Sequence, residues 1–204
     1  MTDPLSPGPE NEFFRMPGGG PGSARDEFAA LAACIGPPPT QVVPTDWQSV
    51  ERELGISYPS DYKKFVAMYG AGAVCDIKVS APGAPGEFDQ FDLLRRKLEQ
   101  VIRSGASEYR PPIFTEKSGM IVWGEGSHML TLGWLPDPVS NPNNWGITIS
   151  APYPPWLSRI SYRPGWSFSS FLLLLYRSRR KSPFTSTATY GRAASPRSRS
   201  APPL

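Results

Sequence analysis

Two cysteines and one histidine are all that this 204-residue chain offers to thiol or imidazole chemistry. Cys34 and Cys75 form neither a Cys-x-x-Cys pair nor a Cys/His ligand spacing, so no zinc framework is written in the sequence and nothing in it demands an oxidising compartment. Any Ser-His-Asp or Cys-His device would have to be built around His128, which is expected at the start of a strand beside Glu125 with no nucleophile motif to serve. His128 therefore reads as a structural or exposed residue. Long apolar runs are lacking too: the longest, Phe171 to Tyr176, is far too short to span a bilayer and suits a buried helix face. The opening residues have no charged n-region, apolar h-region and small-residue cleavage site, which predicts a cytoplasmic chain rather than one exported by a signal peptide. The expectation is a protein with no catalytic residues, no metal and no cofactor.

Glycine and proline are abundant, at 19 and 25 residues, and they gather at the ends and in a few loops. Residues 1–24 are polar, proline-bearing and broken by PGGGPG, without the apolar periodicity that offsets the entropy of ordering, and read as a disordered leader. The GGGPG at Gly18 to Gly22 follows no strand, so it is no phosphate loop. Charge divides the chain. All 18 acidic residues precede Arg177, whereas seven of the 21 basic residues lie at or after it, so the formal +3 hides an acidic body and a basic tail. That tail, residues 178–204, reads as a disordered extension able at most to touch nucleic acid weakly and non-specifically through counterion release. The ordered domain is then residues 25–177.

Within it, periodicity writes the elements. Phe28, Leu31, Ala32 and Ile35 repeat at helical spacing over Arg25 to Ile35, and Gly36 with three prolines stops that helix. Trp47, Val50 and Leu54 share a face of a helix over Trp47 to Ile56, with Thr45 or Asp46 to cap it and Gly55 to close it. Tyr58 to Gly72, YPSDYKKFVAMYGAG, is a third helix. Pro59 opens its first turn, Ser60 or Asp61 satisfies early N–H groups, Tyr62, Phe65, Val66 and Tyr69 form the buried stripe, and Gly70 and Gly72 end it. Ala73 to Ser80 alternates as a single strand, and Asp89 to Ser104 is an amphipathic helix with Leu94, Leu98, Val101 and Ile102 inward and Arg95, Arg96 and Lys97 mostly outward. Three or four strands follow, over Gly119 to Gly124, His128 to Leu135, Gly146 to Ala151 and Leu157 to Tyr162, the first two joined by a turn at Glu125-Gly126-Ser127. Short connections make them antiparallel, and helices before and after give an α+β architecture with helices packed on the sheet.

Four of these segments resemble a known family. The Trp-x-x-Val-Glu-x-x-Leu-Gly helix with its Pro-x-Asp-Tyr-x-x-Phe successor ending in Tyr-Gly-x-Gly, then MIVWGEGSHMLTLGWL, NPNNWGITIS and WSFSSFLLLLY, are similar in kind and order to the SUKH superfamily, in the branch of the yeast cell-wall assembly regulators and bacterial immunity proteins. Its signature falls here on Trp47, Leu54, Tyr62, Phe65, Tyr69, Gly70, Gly72, Trp145, Phe168 and Phe171. Where the family often has an acidic residue after the hairpin glycine, this chain has Ser127 and His128. The resemblance implies an α+β domain that works by binding: an immunity protein neutralising a cognate toxin, often a nuclease, of a polymorphic or contact-dependent system. The eukaryotic relatives imply the alternative, a non-catalytic regulatory adaptor.

An acidic body suits a basic toxin. The carboxylates least needed for the inferred core are Asp76, Glu87, Asp89, Asp92 and Asp137, and together they form the expected partner-binding face. The bland alternative is that Glu87, Asp89 and Asp92 serve the positive end of the helix they precede. The six tryptophans read chiefly as core and half-buried sheet residues rather than stacking platforms.

Overall fold

The stripe of α3 (Ser60–Tyr69) organises the molecule, because Tyr62, Phe65, Val66 and Tyr69 are all buried while Lys64, Ala67 and Met68 face outward. In the computed structural model, which describes residues 24–104, 119–126, 130–136, 141–151, 159–178 and 185–186, two helices precede it, α1 (Ala24–Ile35) and α2 (Trp47–Leu54). Asp46 caps α2 by accepting from Ser49 N at 3.2 Å, and Gly55 closes it at φ 66°. Pro59 sits just before α3 rather than in its first turn, and α3 ends at Gly70, whose φ is 74°, so Gly72 belongs to the next strand. The free amides at the start of α3 are met by side chains: Ser60 N donates to Asn143 Oδ1 at 2.7 Å and Tyr62 N to Asp61 Oδ1 at 2.9 Å.

The single strand expected over Ala73 to Ser80 is instead a tight hairpin of β1 (Gly72–Val74) and β2 (Ile77–Val79), with Val74 opposite Ile77. Cys75 and Asp76 make the turn at φ 50° and 63°. Two positive φ values match a two-residue turn to the right-handed twist of its strands. Asp tolerates that conformation, whereas for Cys75 it costs roughly 1–2 kcal/mol, offset by burial of its side chain in the core. With neither Asn nor Gly at the turn, only the alternation showed in the sequence.

After the hairpin come α4 (Gln90–Ser104), β3 (Ile121–Gly126), β4 (Leu130–Trp134), β5 (Ile147–Ala151), β6 (Arg159–Arg163), α5 (Phe168–Ser178) and β7 (Thr185–Ser186). The seven strands form one antiparallel sheet in the order β6-β5-β4-β3-β2-β1-β7, so each of the first six pairs with its neighbour in sequence. β7 comes from the segment that composition assigned to the tail. Glu125 and Gly126 lie inside β3, opposite Thr131 and Leu130, rather than in a turn. Gly124 is required where β3 bulges, because a Cβ there would stand 2.7 Å from Lys78 O of β2.

Helices cover both faces of the sheet. On one, Ile121, Trp123, Leu132, Trp134, Ile147 and Ile149 meet α1, α3 and α5, with α2 packed at the margin through Trp47, Val50 and Leu54. Aromatic edges meet faces throughout this layer: Trp123 to Phe168 at 4.9 Å, Trp134 to Tyr62 at 5.0 Å, and Phe65 to Phe168 at 5.2 Å. On the other face, among the described residues, α4 packs Leu93 and Leu94 on Met120 and Val122. Its buried stripe is Gln90, Leu93, Leu94 and Lys97, and Ile102 is 70% exposed, so the helix is turned from the orientation expected. An acidic partner on the sheet, Glu125, draws Lys97 inward.

The start of α5 joins the first half of the chain to the last. Asp61 is buried and its Oδ2 accepts from Ser169 N at 2.8 Å, while Ser167 Oγ donates to Glu27 Oε2 at 2.8 Å. A carboxylate at a helix N-terminus satisfies an unpaired amide and opposes the positive end of the dipole.

Buried phenols make the fold sensitive to alkali. Tyr58 OH donates to Gln90 Oε1 at 3.1 Å and Tyr62 OH to Ser80 O at 2.6 Å. Burial holds both above the ordinary 10.0, with the charge of Glu51 adding to the effect at Tyr58. Above pH 10 the unfolded chain loses these protons and the folded chain keeps them, so the unfolded state binds fewer protons and stability falls as pH rises. The urea midpoint is expected to drop steeply from about pH 10 upward, and Tyr62→Phe to flatten that drop. Parallel pH profiles for the two proteins would contradict it.

Candidate functional site

The hairpin, the turn at Gly86–Phe88 and the start of α4 carry Asp76, Glu87, Asp89 and Asp92, and all four interact within the chain. Asp76 is exposed at the hairpin tip. Two residues on, Lys78 Nζ donates to Glu87 Oε2 at 2.5 Å. Asp89 Oδ1 accepts from Phe91 N at 2.7 Å and so serves the start of α4, while Asp92 pairs with Arg95 at 2.9 Å. The helix-start role considered for these groups thus holds for Asp89 by geometry. Asp137, like His128, lies outside the described residues.

The pairs Lys78–Glu87 and Asp92–Arg95 are half exposed and contribute about 0–1 kcal/mol each. They leave charge on the surface without committing it strongly to folding. The neighbouring pair is different. Lys97 Nζ lies 2.7 Å from Glu125 Oε1, with Arg96 at 3.8 Å from the other oxygen, and the Lys97 side chain is only 8% exposed. Strand register continues this polar line under α4, since Lys78 faces Glu125, Glu125 faces Thr131, and Thr131 faces Ser150. The region is a lattice of alternating charge, more balanced than an anionic face. Lys97 was missed because three consecutive basic residues read as a solvated run. Its spacing from Leu93 and Leu94, i+4 and i+3, already places it on their stripe.

The residues that carry the family resemblance meet in a single core. Tyr62, Phe65, Tyr69, Trp145, Phe168 and Phe171 are buried in it, and Trp47 and Leu54 pack against it half-buried. Asp61, the acid of the Pro-x-Asp-Tyr segment, reaches the Ser-Phe segment through its bond to Ser169. No sequence spacing reports a bond between residues so far apart. Among the described residues, no group of three or more His, Cys, Asp or Glu side chains is arranged to hold a metal ion, and no helix is long and apolar enough to cross a membrane. No family model, no curated protein and no solved structure matches the chain.

Proposed function

We propose that the chain is a SUKH-like immunity protein, acting in the cytoplasm by binding and neutralising a cognate toxin of a bacterial polymorphic or contact-dependent system. The observation that supports the reading is the convergence of the four motif segments on one aromatic core, with Asp61 bonded across from the first of them to the last. The toxin meets the region of Asp76, Glu87, Asp89 and Asp92, where weak surface pairs exchange at low cost for pairs with a basic partner. The second reading, a non-catalytic regulatory adaptor, has the same domain in its favour and differs in its partner.

Co-expression with a toxin whose gene lies immediately upstream of this one tests both. Protection of the host and a stable complex are expected. Asp76→Asn with Asp92→Asn removes two charges while keeping a residue that tolerates the hairpin's positive φ. That variant is expected to slow association about tenfold at low salt, an effect that fades as salt screens it. Full toxicity in the presence of the folded chain would overturn the immunity reading, and unchanged association rates would remove this face from it.

A further inference from the structure

The outer side of α4 carries Asp92, Arg96, Glu99 and Arg103 at spacings of four, three and four, which keeps them on one line along the helix. All four side chains are between 44% and 81% exposed. Beside the line Ile102 is 70% exposed, on the same flank as the exposed Arg95. Among the described residues, Arg96, Glu99, Gln100 and Arg103 line a shallow groove of about 560 Å3. Within the chain these charges make surface pairs: Asp92 with Arg95 at 2.9 Å, Glu99 with Arg103 at 3.6 Å, and Arg96 with Glu125 at 3.8 Å. Glu125 has Lys97 at 2.7 Å as its closer cation, so Arg96 can turn outward at little cost.

The signs along the line alternate, acid, base, acid, base, and cancel. A strongly acidic or strongly basic partner therefore meets as much repulsion as attraction there. A second α4 laid parallel in register sets like against like at all four positions. Laid antiparallel, with the two-fold axis level with the Lys97–Leu98 peptide bond, every position meets its opposite: Asp92 faces Arg103 of the second copy, Arg96 faces Glu99 of the second copy, and symmetry repeats both pairs. On the flank, Ile102 comes level with residue 93 of the second copy and lies against the aliphatic stem of the neighbouring Arg95, which removes its exposed surface from water. We propose that two copies of this chain associate through α4 in this antiparallel register. The order of charges selects a second copy over a foreign partner. Exposed pairs are individually weak, so the dimer is loose and sensitive to salt, with its register set by charge and its adhesion by Ile102 and the arginine stems. Asp92 belongs both to this line and to the region proposed for the toxin, so the dimer covers one edge of that region. The inference itself does not depend on the immunity reading.

Sedimentation equilibrium of the full chain tests it. Reversible dimerisation is expected, weakening about tenfold as salt rises from about 0.05 M to about 0.5 M. Arg96→Glu and Glu99→Arg each set like charges against each other at the centre of the dimer, and each variant alone is expected to dimerise at least about tenfold more weakly. An equimolar mixture of the two restores all four opposite pairs across antiparallel helices, and only two across parallel ones. The mixture is therefore expected to form a heterodimer about as tight as the wild-type dimer. A wild-type chain that stays monomeric up to millimolar concentration would overturn the proposal. So would single variants that dimerise as well as the wild type, or a mixture that fails to reassociate. Should a central variant fail to fold, Arg103→Glu and Asp92→Lys, at the exposed ends of the line, give the same decision: each alone is expected to lose dimer and their mixture to regain it, and any other outcome rejects the register.

Discussion

Phe65→Ala is expected to lower the unfolding free energy by about 3–5 kcal/mol, the usual cost of removing a buried ring and leaving its cavity. Phe65 is fully buried and its ring lies 5.3 Å from Tyr69 and 5.2 Å from Phe168, so the cavity would open between α3 and α5. Neighbouring rings held on two separate helices cannot collapse into it without moving a helix. Domains of this size have about 5–15 kcal/mol in total, so the variant sits near the edge of folding. Urea unfolding would show a large fall in midpoint at unchanged slope. Lys64→Ala, on the exposed side of the same helix, should stay within about 0.5 kcal/mol and serves as the control. An unchanged midpoint for Phe65→Ala would mean that α3 is not docked on the sheet as described.

Breaking the ion pair under α4 is the second large effect. Lys97→Met leaves Glu125 without its closest cation, and Glu125→Leu leaves an ammonium almost wholly removed from water. Removing one partner of a buried pair costs about 3–5 kcal/mol. The 27% exposure of Glu125 and the nearby Arg96 bring the expected loss for Lys97→Met down to roughly 2 kcal/mol, with Glu125→Leu the more damaging. The double variant should recover much of the loss, because two apolar side chains in contact need no solvation. The double-mutant cycle therefore gives a coupling of about 1.5–3 kcal/mol. Additive single effects would show that the two groups do not act as a pair.

How much was legible in the sequence depended on what kind of force placed each residue. The stripe on α3 and the buried face of α5 were legible because burial repeats at the helical period, and Phe168, Phe171, Leu172 and Leu175 are buried as their spacing requires. The Cys75-Asp76 turn was hidden, since alternation looks the same in one continuous strand as in two short strands joined by a tight turn. Only the positive φ of two residues distinguishes them, and neither is glycine. The rotation of α4 was hidden for another reason. Hydrophobicity places Ile102 inside and Lys97 outside, but a carboxylate on the opposing strand outweighs that preference, and its position depends on the register of β3. At the candidate site, the helix-start role weighed for Glu87, Asp89 and Asp92 covers the bond that Asp89 makes, but the pairs of Glu87 with Lys78 and of Asp92 with Arg95 were missed. Lys78 reaches Glu87 through a hairpin that the sequence did not declare.

The bonds from α5 to Asp61 and Glu27 bear on the order in which the protein is made. Strands that pair only with their sequence neighbours can assemble as they leave the ribosome, from β1 through β6. The sheet face bearing Trp123 and Trp134, however, is closed by Phe168 and Phe171, which are among the last core residues to be synthesised. Until they emerge, the nascent chain carries an aromatic sheet face covered only in part, from the side of α1 and α3, and a buried-type carboxylate with no helix to cap. Translation arrested between β6 and α5 should therefore yield a sticky, chaperone-dependent product, and synthesis of the 11 residues of α5 converts it into a native domain.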